Sequence, residues 1–153
     1  MTSRKQAILE IFKKHPDAFF VASTGYISRA VFELFPNNEN IFYMQGSMGM
    51  APAIGLGLAL ESDKNIVVIS GDGSLLMHLG ITHTIRDMSL PNLFNYVLDN
   101  GTHESVGAYP VSNLESSYPG IDGIFKITND GKPPRVGMDF KTNKECFIKK
   151  IKE

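Results

Sequence analysis

Asn65 to Ser105 reads NIVVISGDGSLLMHLGITHTIRDMSLPNLFNYVLDNGTHES. Two apolar runs in it, Ile66–Ile69 and Leu93–Leu98, have strand length and no alternation. That is the pattern of parallel strands covered on both faces. Leu75 to Met88, between them, predicts a helix with Leu75, Leu76, Leu79 and Ile85 on its buried side. Strand, helix and strand make a crossover, so the two strands run parallel and their carboxyl ends share one edge of the sheet. The fold class that follows is α/β, a three-layer α/β/α arrangement around a mostly parallel sheet.

The first strand runs into Gly71-Asp72-Gly73-Ser74 and the second into Asp99-Asn100-Gly101-Thr102. Ligands of open α/β sheets bind outside the carboxyl ends of the strands. Gly71 and Gly73 let the backbone turn sharply and approach a ligand closely. Ser74 opens a helix whose free N–H groups make an anion site. Asp72 and Asn100 offer oxygens of the hard kind that magnesium or calcium takes. Asp-Gly and Asn-Gly are also ordinary turn dipeptides. Their pairing across a crossover helix is what reads as a metal–diphosphate site.

The chain has 153 residues, enough for a single domain over 1–153 with its own core. Hydrophobic residues make up 42% and charged residues 20%, with a net charge of −1 and no basic block. This balance argues against nucleic acid or a membrane surface as partner. Cys146 is the one cysteine, so no internal disulfide forms. No N-terminal apolar segment resembles a signal peptide and no run is long enough to span a bilayer, so a soluble cytoplasmic protein is expected.

Taken in order, Ser3 predicts a helix cap with Gln6 completing a capping box, and Pro16 stops that helix. Ala18–Ala22 is the first expected strand, ending at Ser23-Thr24-Gly25-Tyr26. A helix over Ser28–Leu34 follows, with Ser28 as its cap. Asn40–Met44 is the next strand, leading through Gln45-Gly46-Ser47-Met48-Gly49 into a helix over Ala51–Leu60. Gly55 and Gly57 cost that helix stability, which close packing against a sheet or a partner helix would explain. GLGLAL lacks the third glycine of a dinucleotide loop. His78, His83, His103 and Glu104 have no zinc spacing.

GDG, just under thirty residues, then an Asn after an apolar strand resembles the thiamine diphosphate motif. The family pattern ends in Asn-Asn; here it is Asp99-Asn100, a variant also used by the decarboxylases of phosphonopyruvate and sulfopyruvate. STGYISRAVFEL (Ser23–Leu34), FYMQGSMGMAPAIGLGLAL (Phe42–Leu60), GDGSLLMHLG and LDNGTHESVG all resemble the diphosphate-binding domain of that family. The similarity covers roughly the first 110 residues.

The resemblance implies thiamine diphosphate and Mg2+ as cofactors. Asp72, Asn100 and the Thr102 carbonyl would hold the metal, with Gly71, Gly73 and Ser74 around the diphosphate. The Thr24-Gly25-Tyr26 turn would touch the diphosphate too, although a plain strand-to-helix turn reads the same locally. Gly46, Ser47 and Met48 would hold the aminopyrimidine end: the Gly46 carbonyl accepts from the 4′-amino group, the Met48 N–H donates to the pyrimidine, and the Met48 side chain wedges the cofactor into its bent form. His103 and Glu104 would lie near the diphosphate and the substrate, giving Met48, His103 and Glu104 as catalytic candidates.

The last third departs from the family. Members continue with a helix, a strand and another helix before the final strand. Here Asn113–Gly123 is loop-like, Ile124–Thr128 is the expected final strand and Lys144–Ile151 a short closing helix. About one helix–strand unit is therefore missing, which predicts a shortened C-terminal part and an incomplete sheet. The implied activity is decarboxylation of a small 2-oxoacid, phosphonopyruvate to phosphonoacetaldehyde, by a dimer or higher oligomer. A pyrimidine-binding domain on a partner subunit would supply the activating glutamate, with the Gly55/Gly57 helix as docking face. A sulfopyruvate decarboxylase β subunit and a degenerate, non-catalytic binding chain are the other readings.

Overall fold

A computed structural model describes all 153 residues. Six strands form one parallel sheet: β1 (Thr2–Ser3), β2 (Phe19–Ala22), β3 (Ile41–Tyr43), β4 (Ile66–Gly71), β5 (Leu93–Asp99) and a strand at Gly123–Thr128. A small antiparallel ribbon, β6 (Thr102–His103) and β7 (Tyr109–Pro110), precedes that last strand, which is therefore β8. The spatial order is β1-β8-β5-β4-β2-β3. The unbroken apolar runs of β2, β4 and β5 are buried along nearly their whole length, because helices cover both faces.

On one face lie α1 (Arg4–Lys14) and α2 (Tyr26–Leu34), whose Ala7, Ile8, Ile11, Ala30 and Val31 pack onto Phe20, Val67, Ile69 and Leu98. On the other lie α3 (Ala51–Leu60), α5 (Ile81–Met88) and α6 (Phe140–Ile151), packing Leu56, Ile85 and Phe147 onto Phe19, Val21 and Val68. The short α4 (Asp72–Met77) stands at the carboxyl edge of β4. The three layers expected are present.

Several boundaries differ from expectation. The helix predicted over Leu75–Met88 is two helices, and the first begins at Asp72. His78 leaves helical geometry at φ −141° and Gly80 caps α5. A glycine there lowers the cost of breaking the helix, and the new axis turns Ile81 and Ile85 onto the sheet. Ser28 is not the cap of α2. Gly25 is, at φ 92°, and the Ser28 hydroxyl donates back to its carbonyl at 3.3 Å. A left-handed backbone is what requires glycine at 25. The capping box of Ser3 and Gln6 forms as expected.

The C-terminal third is where the expected gap shows. No α-helix lies between β5 and β8; the ribbon and one 3-10 turn (Glu104–Val106) occupy that crossover. Phe125 and Ile127 of β8 reach the core on the α1 side, whereas Lys126 and Thr128 on the opposite face are exposed. The sheet itself is not cut short, because β1 adds to the outer edge of β8. The closing helix starts at Phe140, four residues before the expected Lys144, capped by Asp139, which accepts from the Thr142 N–H at 3.0 Å.

Two residues, Gly55 and Asn143, explain how α3 and α6 sit. A Cβ on Gly55 would overlap the Val68 Cγ2 methyl, whereas one on Gly57 would meet nothing within 4 Å. Gly55 thus serves the sheet contact of α3. Asn143 of α6 is buried against the free edge of β3: it accepts from the Tyr43 N–H at 2.9 Å and donates to the Ile41 carbonyl at 2.8 Å. Asn143→Ala leaves two buried backbone groups unpaired, each worth ~1–3 kcal/mol. We expect a loss of about 3 kcal/mol in urea unfolding; an unchanged midpoint would contradict this role.

Candidate functional site

Chain connections leave the sheet in opposite directions between β2 and β4, so a crevice opens at their carboxyl ends. The loop after β2 and the start of α4 meet there. Ser23 and Ser74 share a hydrogen bond at 3.0 Å, and the Ser74 hydroxyl also accepts from the Gly49 N–H at 3.1 Å. One buried hydroxyl thus ties the Thr24 turn, the Gly46–Gly49 loop and α4 together. Gly71 caps α4 without a side chain, and a Cβ on Gly73 would collide with the His103 imidazole. Only glycine lets that ring lie on the first turn of α4.

A cavity of about 60 Å3 occupies the crevice, and Thr24, Tyr26, Met48, Asp72, Asn100 and Thr102 are among its walls. Gly71, Gly73, Ser74, His103 and Glu104 line it as well. A second cavity of about 530 Å3 abuts it, lined by Gly25, Gly46 and Ser47 together with Thr24 and Met48. All the site residues expected from the sequence therefore fall on two adjoining cavities, with half-buried Met48 between them.

Asp72 is the buried carboxylate of the site. Its oxygens accept from the Gly73 N–H at 2.8 Å and the Gly101 N–H at 2.7 Å. Burial raises its pKa above the ordinary carboxylate value; the two N–H bonds pull it down, and nearby Asp99 pushes it up again. A carboxylate disfavoured by desolvation gains from a cation. Asp99 is itself buried, accepting from Gly101 N–H at 3.1 Å and from the Lys126 ammonium opposite it on β8. Lys126 balances the charge that an aspartate, rather than an asparagine, brings to this position.

Asn100 is oriented from behind. Its Nδ2 donates to Asn129 at 2.8 Å and to Glu104 at 3.3 Å, while its Oδ1 accepts from the Thr102 N–H at 3.2 Å. Glu104 is held by Arg4, a buried guanidinium that also donates to the Gly131 carbonyl at 3.3 Å and lies 5.5 Å from the Tyr26 ring centre. The Thr102 hydroxyl is buried with no partner. No three His, Cys, Asp or Glu side chains converge; apart from Glu104, which Arg4 holds, the oxygens the crevice offers are one carboxylate with amide and carbonyl groups. Such an oxygen set suits magnesium.

Sequence reasoning missed Arg4 and Ser105 in the first cavity, Arg29 and Arg135 in the second, and the Asp99–Lys126 pair. Lone arginines at helix starts and in loops carry no local signal; only the fold brings Arg4 within reach of Glu104, a hundred residues away.

Comparison with known proteins agrees with this geometry. The family model described as "Thiamine pyrophosphate enzyme, C-terminal TPP binding domain" matches residues 23–135. A phosphonopyruvate decarboxylase of Streptomyces viridochromogenes is 45% identical over 105 residues, 69% of this chain and 26% of that protein. One from Streptomyces hygroscopicus is 44% identical over 106 residues. The sulfopyruvate decarboxylase subunit beta of Methanothermobacter thermautotrophicus is 40% identical over 108 residues, 71% of this chain and 58% of that subunit. The chain thus spans about a quarter of the length of the first relatives and just over half of the last. No helix is long and apolar enough to cross a membrane. With its match running from the Ser23 turn through both strand-end loops, the chain belongs to the thiamine pyrophosphate enzymes, as a C-terminal TPP-binding domain.

Proposed function

We propose that this chain is the diphosphate-binding component of a two-component, thiamine-diphosphate- and magnesium-dependent 2-oxoacid decarboxylase, acting on phosphonopyruvate to give phosphonoacetaldehyde and carbon dioxide. The observation that carries the reading is the meeting of Asp72, Asn100, Thr102, the first turn of α4 and Met48 on one crevice. The residues present fit the cofactor. A buried carboxylate raised by desolvation wants a cation, the Thr102 hydroxyl lacks a partner, and the N-cap of α4 brings no side-chain acceptor of its own.

Bound thiamine diphosphate supplies a nucleophilic carbon and an electron sink for loss of the carboxylate. The chain's residues supply the rest. Asp72, the Asn100 Oδ1 and the Thr102 carbonyl would hold magnesium. The Thr24-Gly25-Tyr26 turn with Gly71, Gly73 and Ser74 would hold the diphosphate, and Glu104, held by Arg4, fixes the Asn100 amide so that its oxygen, which accepts from the Thr102 N–H, would offer its second lone pair to the metal. Gly46 and Ser47 would meet the pyrimidine, and Met48 would press on the cofactor from its place between the cavities. His103 would lie over the diphosphate end and reach the substrate from there. Sulfopyruvate remains the second reading, because the relatives carrying its name match at nearly the same identity. Competition between the two oxoacids for turnover separates them.

Met48→Ala is expected to lower turnover roughly ten-fold or more while changing cofactor affinity less. Its side chain would act on cofactor shape, and preorganised geometry can supply several orders of magnitude in rate. Equal loss of affinity and rate would mark Met48 as ordinary packing.

A further inference from the structure

The two adjoining cavities differ in charge. The first is walled by Asp72 and Glu104 as well as Arg4. The second has Arg29 and Arg135 in its wall and no acidic residue. The chain has four arginines. Arg4 and Arg86 are ion-paired. Arg29 and Arg135 pair with no carboxylate, and both open on this cavity. The Arg29 guanidinium lies over the Tyr26 ring, its central carbon 5.3 Å from the ring centre, which orients its plane while leaving its in-plane N–H donors without a carboxylate partner. The hydroxyls of Thr24 and Ser105 lie in the same wall.

We infer that this cavity is an anion subsite, in which Arg29 and Arg135 bind the tetrahedral phosphonate or sulfonate at the far end of a 2-oxoacid. The inference rests on the decarboxylase reading and adds to it the residues that would select a 2-oxoacid with a second, distal anion. Guanidinium groups bind tetrahedral oxyanions through paired hydrogen bonds. Two of them without a competing carboxylate favour a dianion over a monoanion. Met48 sets the geometry, since it borders both cavities. A substrate whose reacting carbon lies at Met48 can extend its distal anion away from Asp72 and toward the arginines. At about 530 Å3 the cavity has room for a three-carbon acid beside a pyrimidine ring.

The test is a titration of the 15N-labelled chain followed at the arginine Nε–Hε resonances, with and without thiamine diphosphate and magnesium. Phosphonopyruvate, sulfopyruvate, pyruvate and inorganic phosphate are the probes. Phosphonopyruvate should shift Arg29 and Arg135 saturably and leave Arg86 unmoved, and pyruvate should bind at least ten-fold more weakly. Arg29→Gln and Arg135→Gln should each weaken phosphonopyruvate about ten-fold and leave the rest of the spectrum in place. Arg135 is on the exposed Pro134–Arg135 segment, so its variant tests the idea without risk to folding. Equal affinity for pyruvate and phosphonopyruvate, or wild-type affinity in both variants, would overturn the subsite. Absence of thiamine diphosphate binding in the parallel cofactor titration would instead overturn the decarboxylase reading, because the arginine shifts are read without cofactor as well.

Discussion

Asp72→Ala is expected to weaken magnesium-dependent binding of thiamine diphosphate by about 100-fold or more and to leave the fold standing. Asp72 would be the only formal charge in the metal shell, since Asn100 and Thr102 offer neutral oxygens. Losing a charged partner of this kind costs ~1.5–3 kcal/mol for each interaction it made, and both the metal and, through it, the diphosphate are affected. The fold survives because the Gly101 N–H keeps its bond to Asp99, although the Gly73 N–H loses its acceptor. The pH dependence of the apo protein's stability changes as well. The Asp72 pKa is raised in the folded state, so the unfolded chain gives up this proton first. Stability is then lost as pH rises through and above the ordinary carboxylate range, and alanine removes that loss. Calorimetric titration of the variant reads the first effect and thermal unfolding at neutral pH the second. Wild-type cofactor affinity in Asp72→Ala would show that the metal is held elsewhere.

The second large effect concerns the chain by itself: without a pyrimidine-binding partner it is expected to turn over far more slowly than with one. In the family it belongs to, a glutamate on the other domain type is implied to activate the pyrimidine. Here no carboxylate lines the cavity that contains Gly46, Ser47 and Met48. Glu33 is paired with Lys5, and Glu104 with Arg4 beside Asn100, outside the wall of that cavity. A positioned acid–base group is worth ~10²–10⁴ in rate, so the isolated chain should release aldehyde at least about a hundred-fold more slowly than the pair. Full turnover by the purified chain would end the two-component account.

The crossover from β4 to β5 and the loops at both strand ends were readable because buried parallel strands write uninterrupted apolar runs, and because turn glycines and oxygen ligands follow them at fixed places. The layer arrangement followed from the same runs. Other features were hidden for physical reasons. The break between α4 and α5 depends on Gly80 and on how Ile81 and Ile85 reach the sheet, which periodicity over a short segment does not resolve. A two-residue strand such as β1 carries no pattern at all, so the sheet looked more truncated than it is. The Asp99–Lys126 and Arg4–Glu104 pairs join residues far apart in sequence, and nothing local in either partner marks them. Gly55 and Gly57 look alike in sequence; only packing separates the one against Val68 from the one facing open space.

The measurement closest to the central claim is a calorimetric titration of thiamine diphosphate into the unaltered chain, at saturating magnesium and again with the metal removed by chelation. The account predicts saturable one-to-one binding with magnesium and at least a ten-fold loss of affinity without it. No heat in either titration, or equal affinity in both, would contradict it.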